Sequence, residues 1–358
     1  MHFYRFENEI AISSFLKVKT GSRKFKNIFN DKILFFESCQ QAISFYLNNI
    51  KTEKKLKIGV PLYTCSSVYQ SVYSSEHQLK FLDIGINNKG YIFDLEIFKN
   101  LDVLIFVHYF GFYYTELKQI KEKYPNLIII EDCSHVSLIN YIPNNYTDIA
   151  VFSFNFHKPI VAGIGGAIYF NSEKNIDEFK NLYKNLKISS NFKKLLKIIL
   201  INFAHYHIIY FFLKKKLERK REQNYVINIS ESIFPKQIPD YGKYILGNQI
   251  HKKRTINFYN NLSEKYRLKI NNSDSLSYFP IFFETELKRN EILIEMKKNG
   301  IDAYILWEKT FYNAEFYGFN DVKNFIKTKN ILDKVIFLPE SFLNNISNLK
   351  KIEHLFEK

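Results

Sequence analysis

Cysteine is scarce in this chain: Cys39, Cys65 and Cys133 are the only three in 358 residues. Three scattered cysteines exclude a disulfide framework and the paired spacings of a structural zinc site. Arginine is scarce as well, seven of the 51 basic residues. The lysines are spread along the whole length with no aromatic-basic motif among them, so the net charge of +15 does not read as a nucleic-acid surface and no nucleic-acid partner is expected. Abundant Lys, Asn, Ile, Phe and Tyr look like the bias of an AT-rich genome. Internal repeats and low-complexity linkers are absent. The opening MHFYRFENEIAISSF lacks a basic stretch followed by an apolar one, so a cytoplasmic protein is expected. A run long and apolar enough to span a membrane is also lacking. The nearest approach, Lys193–Lys216, is interrupted by Lys197, Asn202, His205 and His207 where a span needs about 20 mostly apolar residues. Beside a true span, which these interruptions disfavour, its basic flanks leave two readings open, a buried or dimer-interface helix and a helix lying on an anionic membrane surface.

What the chain has is length and hydrophobicity. With 46% hydrophobic residues it can bury a large core and is long for one domain, so two are expected: 1–230, a large α/β domain, and 231–358, a smaller α+β one. Apolar strands are predicted at Ile33–Phe36, Lys57–Val60, Lys80–Ile84, Val103–His108, Leu127–Glu131, Ile149–Phe154 and Ala167–Phe170. Helical stretches fall at Ser38–Ile50 and at about 66–75, 93–100 and 114–124. Strand alternating with helix means βαβ units and a mostly parallel sheet. After residue 231 come a helix Lys243–Leu262, a strand Ser277–Phe283, an amphipathic helix Glu284–Asn299, and the apolar stretches Ile301–Trp307 and Val335–Pro339.

The chemistry centres on Ile149–Phe170, IAVFSFNFHKPIVAGIGGAIYF. Lys158 lies between two strands in an apolar surround, where loss of hydration lowers the pKa of its ammonium and frees the amine to attack an aldehyde. About twenty residues earlier, IIIEDCSH places Asp132 at a strand's carboxyl end, where ligands sit in open α/β sheets. A carboxylate there can pair with a protonated ring nitrogen and keep a pyridinium charged, so that it acts as an electron sink.

IIIEDCSH, TDIAVFSFNFHKP and GIGGAIYF, in that order, resemble the DegT/DnrJ/EryC1/StrS family of pyridoxal-phosphate sugar aminotransferases. That family has a strand ending in Glu-Asp-x-Ala-Gln/His, then Phe-Ser-Phe, then a Lys five residues past the Ser. Gly59–Thr64 (GVPLYT), Phe81–Gly85 (FLDIG) and Ile105–Gly111 (IFVHYFG) resemble further family motifs in the family's order, so the likeness spans most of the chain.

The resemblance implies fold type I architecture, pyridoxal 5'-phosphate as cofactor and Lys158 as the Schiff-base lysine. It implies Asp132 on the pyridine nitrogen and His135 beside the ring. Ser38, Cys39 and Gln40 at a helix N-terminus, with Ser153, fall on the phosphate site. Cys39 and Gln40 depart from the family's Gly and Thr there, which leaves the backbone N–H groups to do the binding. Cys65 stands where the family stacks an aromatic ring on the cofactor, with Tyr63 two residues before it, and Ile164 stands where the family has an acid. His157 precedes Lys158, and some relatives carry His in place of that lysine and deoxygenate sugars. The resemblance further implies transfer of an amino group, glutamate being the expected donor, to a keto-sugar, nucleotide-linked, for lipopolysaccharide or capsule. A homodimer is implied too. A deoxygenase of the same fold and a non-catalytic relative stay open.

Overall fold

The computed structural model describes residues 32–114, 117–136, 141–143, 145–155, 158–159, 165–174, 176–188, 232–233, 278–301, 303–308 and 321–338, with isolated positions between 259 and 269 and at 314, 317 and 355. His157, Ile164, Lys193–Lys216, the domain boundary near 230 and most of the predicted helix Lys243–Leu262 lie outside the described residues.

In chain order the first unit contains β1 (Ile33–Phe36), α1 (Cys39–Asn48), β2 (Lys57–Pro61), α2 (Ser66–Tyr73), β3 (Gln78–Leu82), and a short hairpin of β4 (Gly85–Asn87) and β5 (Gly90–Ile92). It continues with β6 (Val103–Val107), α3 (Leu117–Lys123), β7 (Ile128–Asp132), β8 (Ile149–Ser153), β9 (Gly166–Phe170), α4 (Ile176–Lys184), β10 (Lys187–Ile188) and β11 (Ser232–Ile233). One sheet runs β10-β11-β1-β9-β8-β7-β6-β2-β3. Its centre, β3 through β8, is parallel, whereas β9 is antiparallel to both β8 and β1. The predicted helix at 93–100 is a single 3-10 turn, Leu95–Phe98, started by the Asp94 carboxylate on Glu96 N–H at 3.0 Å.

β6, at the middle of the parallel part, is apolar on every residue because both its faces are covered. Along β6, Val103 and Ile105 face a core that includes Ile58, Val60, Ile130 and the apolar side of α1. Leu104 and Phe106 face the opposite core, which continues into the second unit through Phe279, Ile281, Ile336 and Phe337. Alternation with period two is the cause: one strand supplies both cores. α1 begins at Ser38, whose extended backbone and Oγ, accepting from Gln41 N–H at 3.2 Å, make an N-cap.

The second unit holds β12 (Phe279–Phe282), α5 (Glu286–Lys298), α6 (Ile326–Lys334) and β13 (Val335–Leu338), with β12 antiparallel to β13. Ile301–Trp307 is not a strand; it touches β13 through one bridge, Tyr304 to Phe337. α6 lacks a cap of its own, since Phe325 at its start has no side-chain acceptor. Asp83, after β3, takes the place of the missing cap: its carboxylate accepts from Lys327 N–H at 3.1 Å and Thr328 N–H at 2.8 Å.

Candidate active site

The sheet brings the chemistry together at the carboxyl ends of β2, β7 and β8, where open α/β sheets bind ligands. Asp132 is the last residue of β7, one residue further along the strand than its predicted end, and one carboxylate oxygen accepts from Ser134 N–H at 2.9 Å. Lys158 lies in the loop after β8, its backbone N–H bonded to Asn155 O at 3.1 Å. Although it is a lysine, only 9% of its surface is exposed. Burial pushes its ammonium pKa down, and Cys65, Asp132 and Cys39 around it offset part of that loss. Its amine has no hydrogen-bond acceptor among the described residues.

Beside the lysine, β1, β9 and β8 align Phe36, Gly166 and Ser153 in one row, and Ser38 bridges Gly165. Gly166 permits this: a Cβ there would lie 2.3 Å from Cys39 N and 2.5 Å from Ser38 C, so no other residue lets β9 pass so near the start of α1. The predicted phosphate residues are thus gathered at one place, but with different side-chain duties. Ser38 Oγ caps α1, and Gln40 turns away, its Nε2 donating to Gln70 Oε1 at 2.9 Å. The Cys39 thiol meets Ser134 Oγ at 3.3 Å, and burial pushes its pKa up, with Asp132 adding to the rise. What remains for an anion is the helix N-terminus and the Ser153 hydroxyl.

Cys65 and Tyr63 part company. Cys65 faces Lys158 and accepts from Ser67 Oγ at 3.1 Å, whereas Tyr63 is buried against Trp307 with ring centroids 5.1 Å apart. His135 is buried between rings: Trp307 stacks on it at 5.3 Å and 14°, and Tyr278 lies at 4.5 Å. Its Nδ1 accepts from Phe110 N–H at 3.2 Å.

Beneath the site, Glu131 is fully buried and accepts from His108 Nε2 at 3.0 Å, Tyr113 Oη at 3.2 Å, Tyr141 Oη at 3.1 Å and Asn171 Nδ2 at 3.3 Å, and also from Thr147 Oγ1. His108, Glu131 and Cys133 offer ligand atoms within 4.8 Å of one another. His108 uses its other nitrogen to accept from Tyr114 N–H at 3.0 Å, so both its nitrogens are engaged and the cluster serves as a structural joint.

Ser134, Ser67, Phe110, Tyr278 and Trp307 were not singled out from the sequence. Ser134 and Ser67 sit two residues beyond Asp132 and Cys65, a signal that was there to read. Tyr278 and Trp307 come from more than 140 residues away and carried no local signal beyond Trp307 being the one tryptophan.

The residues fit a pyridoxal phosphate. Gly166 opens a cradle against the first turn of α1, and a buried amine stands near a carboxylate at the strand ends. Thr64 Oγ1 and the Tyr63 and Tyr109 hydroxyls, all next to this region, are buried with no partner among the described residues.

Comparison with known proteins agrees. The DegT/DnrJ/EryC1/StrS aminotransferase family matches residues 23–197. No curated protein sequence matches. Among solved structures, the chain is similar to a sugar aminotransferase of Streptococcus pneumoniae in its PMP form, with 14% identity over 98% of each chain and a TM-score of 0.71. It is similar to Helicobacter pylori PseC, an aminotransferase involved in pseudoaminic acid biosynthesis, with 15% identity over 99% of this chain and 98% of that one and a TM-score of 0.66. 3-Amino-5-hydroxybenzoic acid synthase is similar at 13% identity over 99% and 98%, with a TM-score of 0.68. Identities this low show the fold. Residues 23–197, which hold Lys158, Asp132 and every other sequence-predicted site residue, match the DegT/DnrJ/EryC1/StrS family of pyridoxal-phosphate-dependent aminotransferases.

Proposed function

We propose that the protein moves an amino group from an amino acid, glutamate foremost, to a nucleotide-linked keto-sugar destined for a surface glycan. The observation that carries the reading is the buried amine of Lys158 near Asp132 at the carboxyl ends of β7 and β8. The sugar class is supported by the structural neighbours, a sugar aminotransferase and an aminotransferase involved in pseudoaminic acid biosynthesis. Bound pyridoxal phosphate supplies the electron sink that makes a substrate Cα–H acidic.

The chain's own residues do the rest. Lys158, poorly solvated and so poorly able to stay charged, is suited to carry the proton from the donor's Cα to the carbon that receives it, as base and then acid. Asp132 holds a proton on the ring nitrogen through a charge-assisted hydrogen bond worth about 1.5–3 kcal/mol. Its other duty, accepting from Ser134 N–H, fixes the carboxylate's orientation. The first turn of α1 and Ser153 anchor the phosphate.

The test is a single turnover: cofactor-loaded protein with glutamate and no acceptor should yield 2-oxoglutarate in proportion to enzyme. Asp132→Asn should slow that turnover roughly tenfold to a hundredfold. Near-normal rates in the variant would remove Asp132 from the site, and no 2-oxoglutarate from the parent protein would remove glutamate as donor.

A homodimer, a cytoplasmic location and a reversible hold of residues 193–216 on anionic membrane complete the proposal; the support for the membrane contact is the basic-flanked apolar sequence. Among the described residues no helix is long and apolar enough to cross a membrane. Sedimentation with anionic vesicles at low but not high salt is the result expected, and protein left in the supernatant at low salt would refute the membrane contact.

A further inference from the structure

Among the described residues, four other than glycine have a positive φ: Glu76, Asn100, Phe110 at 62° and Trp307 at 57°. For bulky aromatic residues this conformation is unfavourable, by an amount usually met where the surroundings demand it. Both aromatic ones converge on one side chain. Phe110, in the turn after β6, gives its backbone N–H to His135 Nδ1 at 3.2 Å. Trp307, in the second unit, lays its ring on His135 at 5.3 Å and 14°. Tyr278 packs on the same imidazole at 4.5 Å and 51°. His135 itself is only 3% exposed and lies three residues beyond Asp132.

We infer that Phe110 and Trp307 are positioning residues that clamp His135 as the neutral tautomer with its proton on Nε2. Nδ1 accepts a backbone N–H and so cannot carry a proton. A neutral imidazole then has its one proton on Nε2. Phe110's left-handed backbone aims the N–H, and the parallel Trp307 ring fixes the imidazole plane. A ring held this way can donate a hydrogen bond from Nε2 but cannot take up a proton without losing the Phe110 contact. His135 is thereby an orienting donor, and proton transfer in the reaction is left to Lys158. This deepens the aminotransferase reading and rests on it only for the last step.

Side-chain nitrogen NMR of histidine-labelled full-length protein, with and without pyridoxal phosphate, tests the clamp directly. The resonances that vanish in His135→Gln identify the ring. One protonated nitrogen, Nε2, and one unprotonated, Nδ1, are expected in the parent protein. Trp307→Ala should bring in exchange between tautomers, and Trp307→Phe should restore the single form. A proton on Nδ1, a doubly protonated ring, or a Trp307→Ala spectrum identical to the parent's overturns the inference. A second arm reads the role: Gln keeps an N–H donor but cannot shuttle protons, so His135→Gln should slow the glutamate single turnover less than His135→Phe, which removes the donor, and equal losses in the two variants would overturn the donor role. General acid–base catalysis contributes about 10²–10⁴-fold, so a loss of hundredfold or more in His135→Gln would make His135 a proton carrier and refute the inference. If the parent protein gives no turnover, the aminotransferase reading falls while the tautomer measurement still decides the clamp.

Discussion

Lys158 has two consequences that follow from its burial. Its ammonium is harder to keep in the folded protein than in the unfolded chain, where the ordinary value is 10.5. Between the lowered folded pKa and 10.5 the unfolded state binds more protons, so folding stability rises with pH across that window. In cofactor-free protein, Lys158→Met should therefore be the more stable form at the acid side of the window, with the advantage shrinking toward pH 10.5. Denaturant midpoints at several pH values measure this, and a gap independent of pH would mean that the lysine is not desolvated. At this scale the sequence was informative where chemistry is local. Lys158 and Asp132 were legible because a lysine in an apolar loop and an acid at a strand end are each unusual. Cys65 was legible as a departure, but the hydroxyl that Ser67 turns toward it was not read. The duties of Gln40 and Ser38 were hidden because they depend on what α2 and the cap geometry offer.

Elements explain why these residues stay where they are. β7 ends in two neighbouring acids facing opposite ways: Asp132 toward the lysine, Glu131 into a buried joint of five donors from four segments. Glu131→Gln keeps the shape but puts an N–H₂ where donors already point. Leaving such groups unsatisfied should cost about 3 kcal/mol, read as a lowered urea midpoint. A midpoint shift within error would show that the joint repacks. Asp83 works between the units. Asp83→Ala removes the acceptors for Lys327 and Thr328 N–H, and the loss of a cap costs about 0.5–2 kcal/mol. Amide exchange should quicken in α6 first; uniform quickening across the sheet would contradict a local tie.

The seven longer strands of the first unit and α1 to α3 were legible from apolar residues at a clear period between turn residues. α4 and α6 were not foreseen, since IDEFKNLYK and IKTKNILDK are short and rich in charge. The Asp83 tie joins residues about 245 apart, which no local pattern reports.

For the whole molecule, the order of motifs carried the reading further than composition did. Net charge reads mostly as compositional bias and singles out no partner, whereas six stretches in one order resemble a family, and that family's match over residues 23–197 covers the sheet centre and the site. The part contributed by the second unit, Tyr278 and Trp307 against His135, emerged only when the chain was folded, because one of the two cores is built from residues of both units. The account stands or falls on the amine of Lys158. The most direct measurement is borohydride treatment of purified, pyridoxal-phosphate-loaded protein, followed by peptide mass mapping. The account predicts one covalently fixed cofactor, on the peptide containing Lys158, and none in Lys158→Ala protein with an intact fold. Cofactor fixed to a different lysine, or fixed equally in the Lys158→Ala variant, would contradict it.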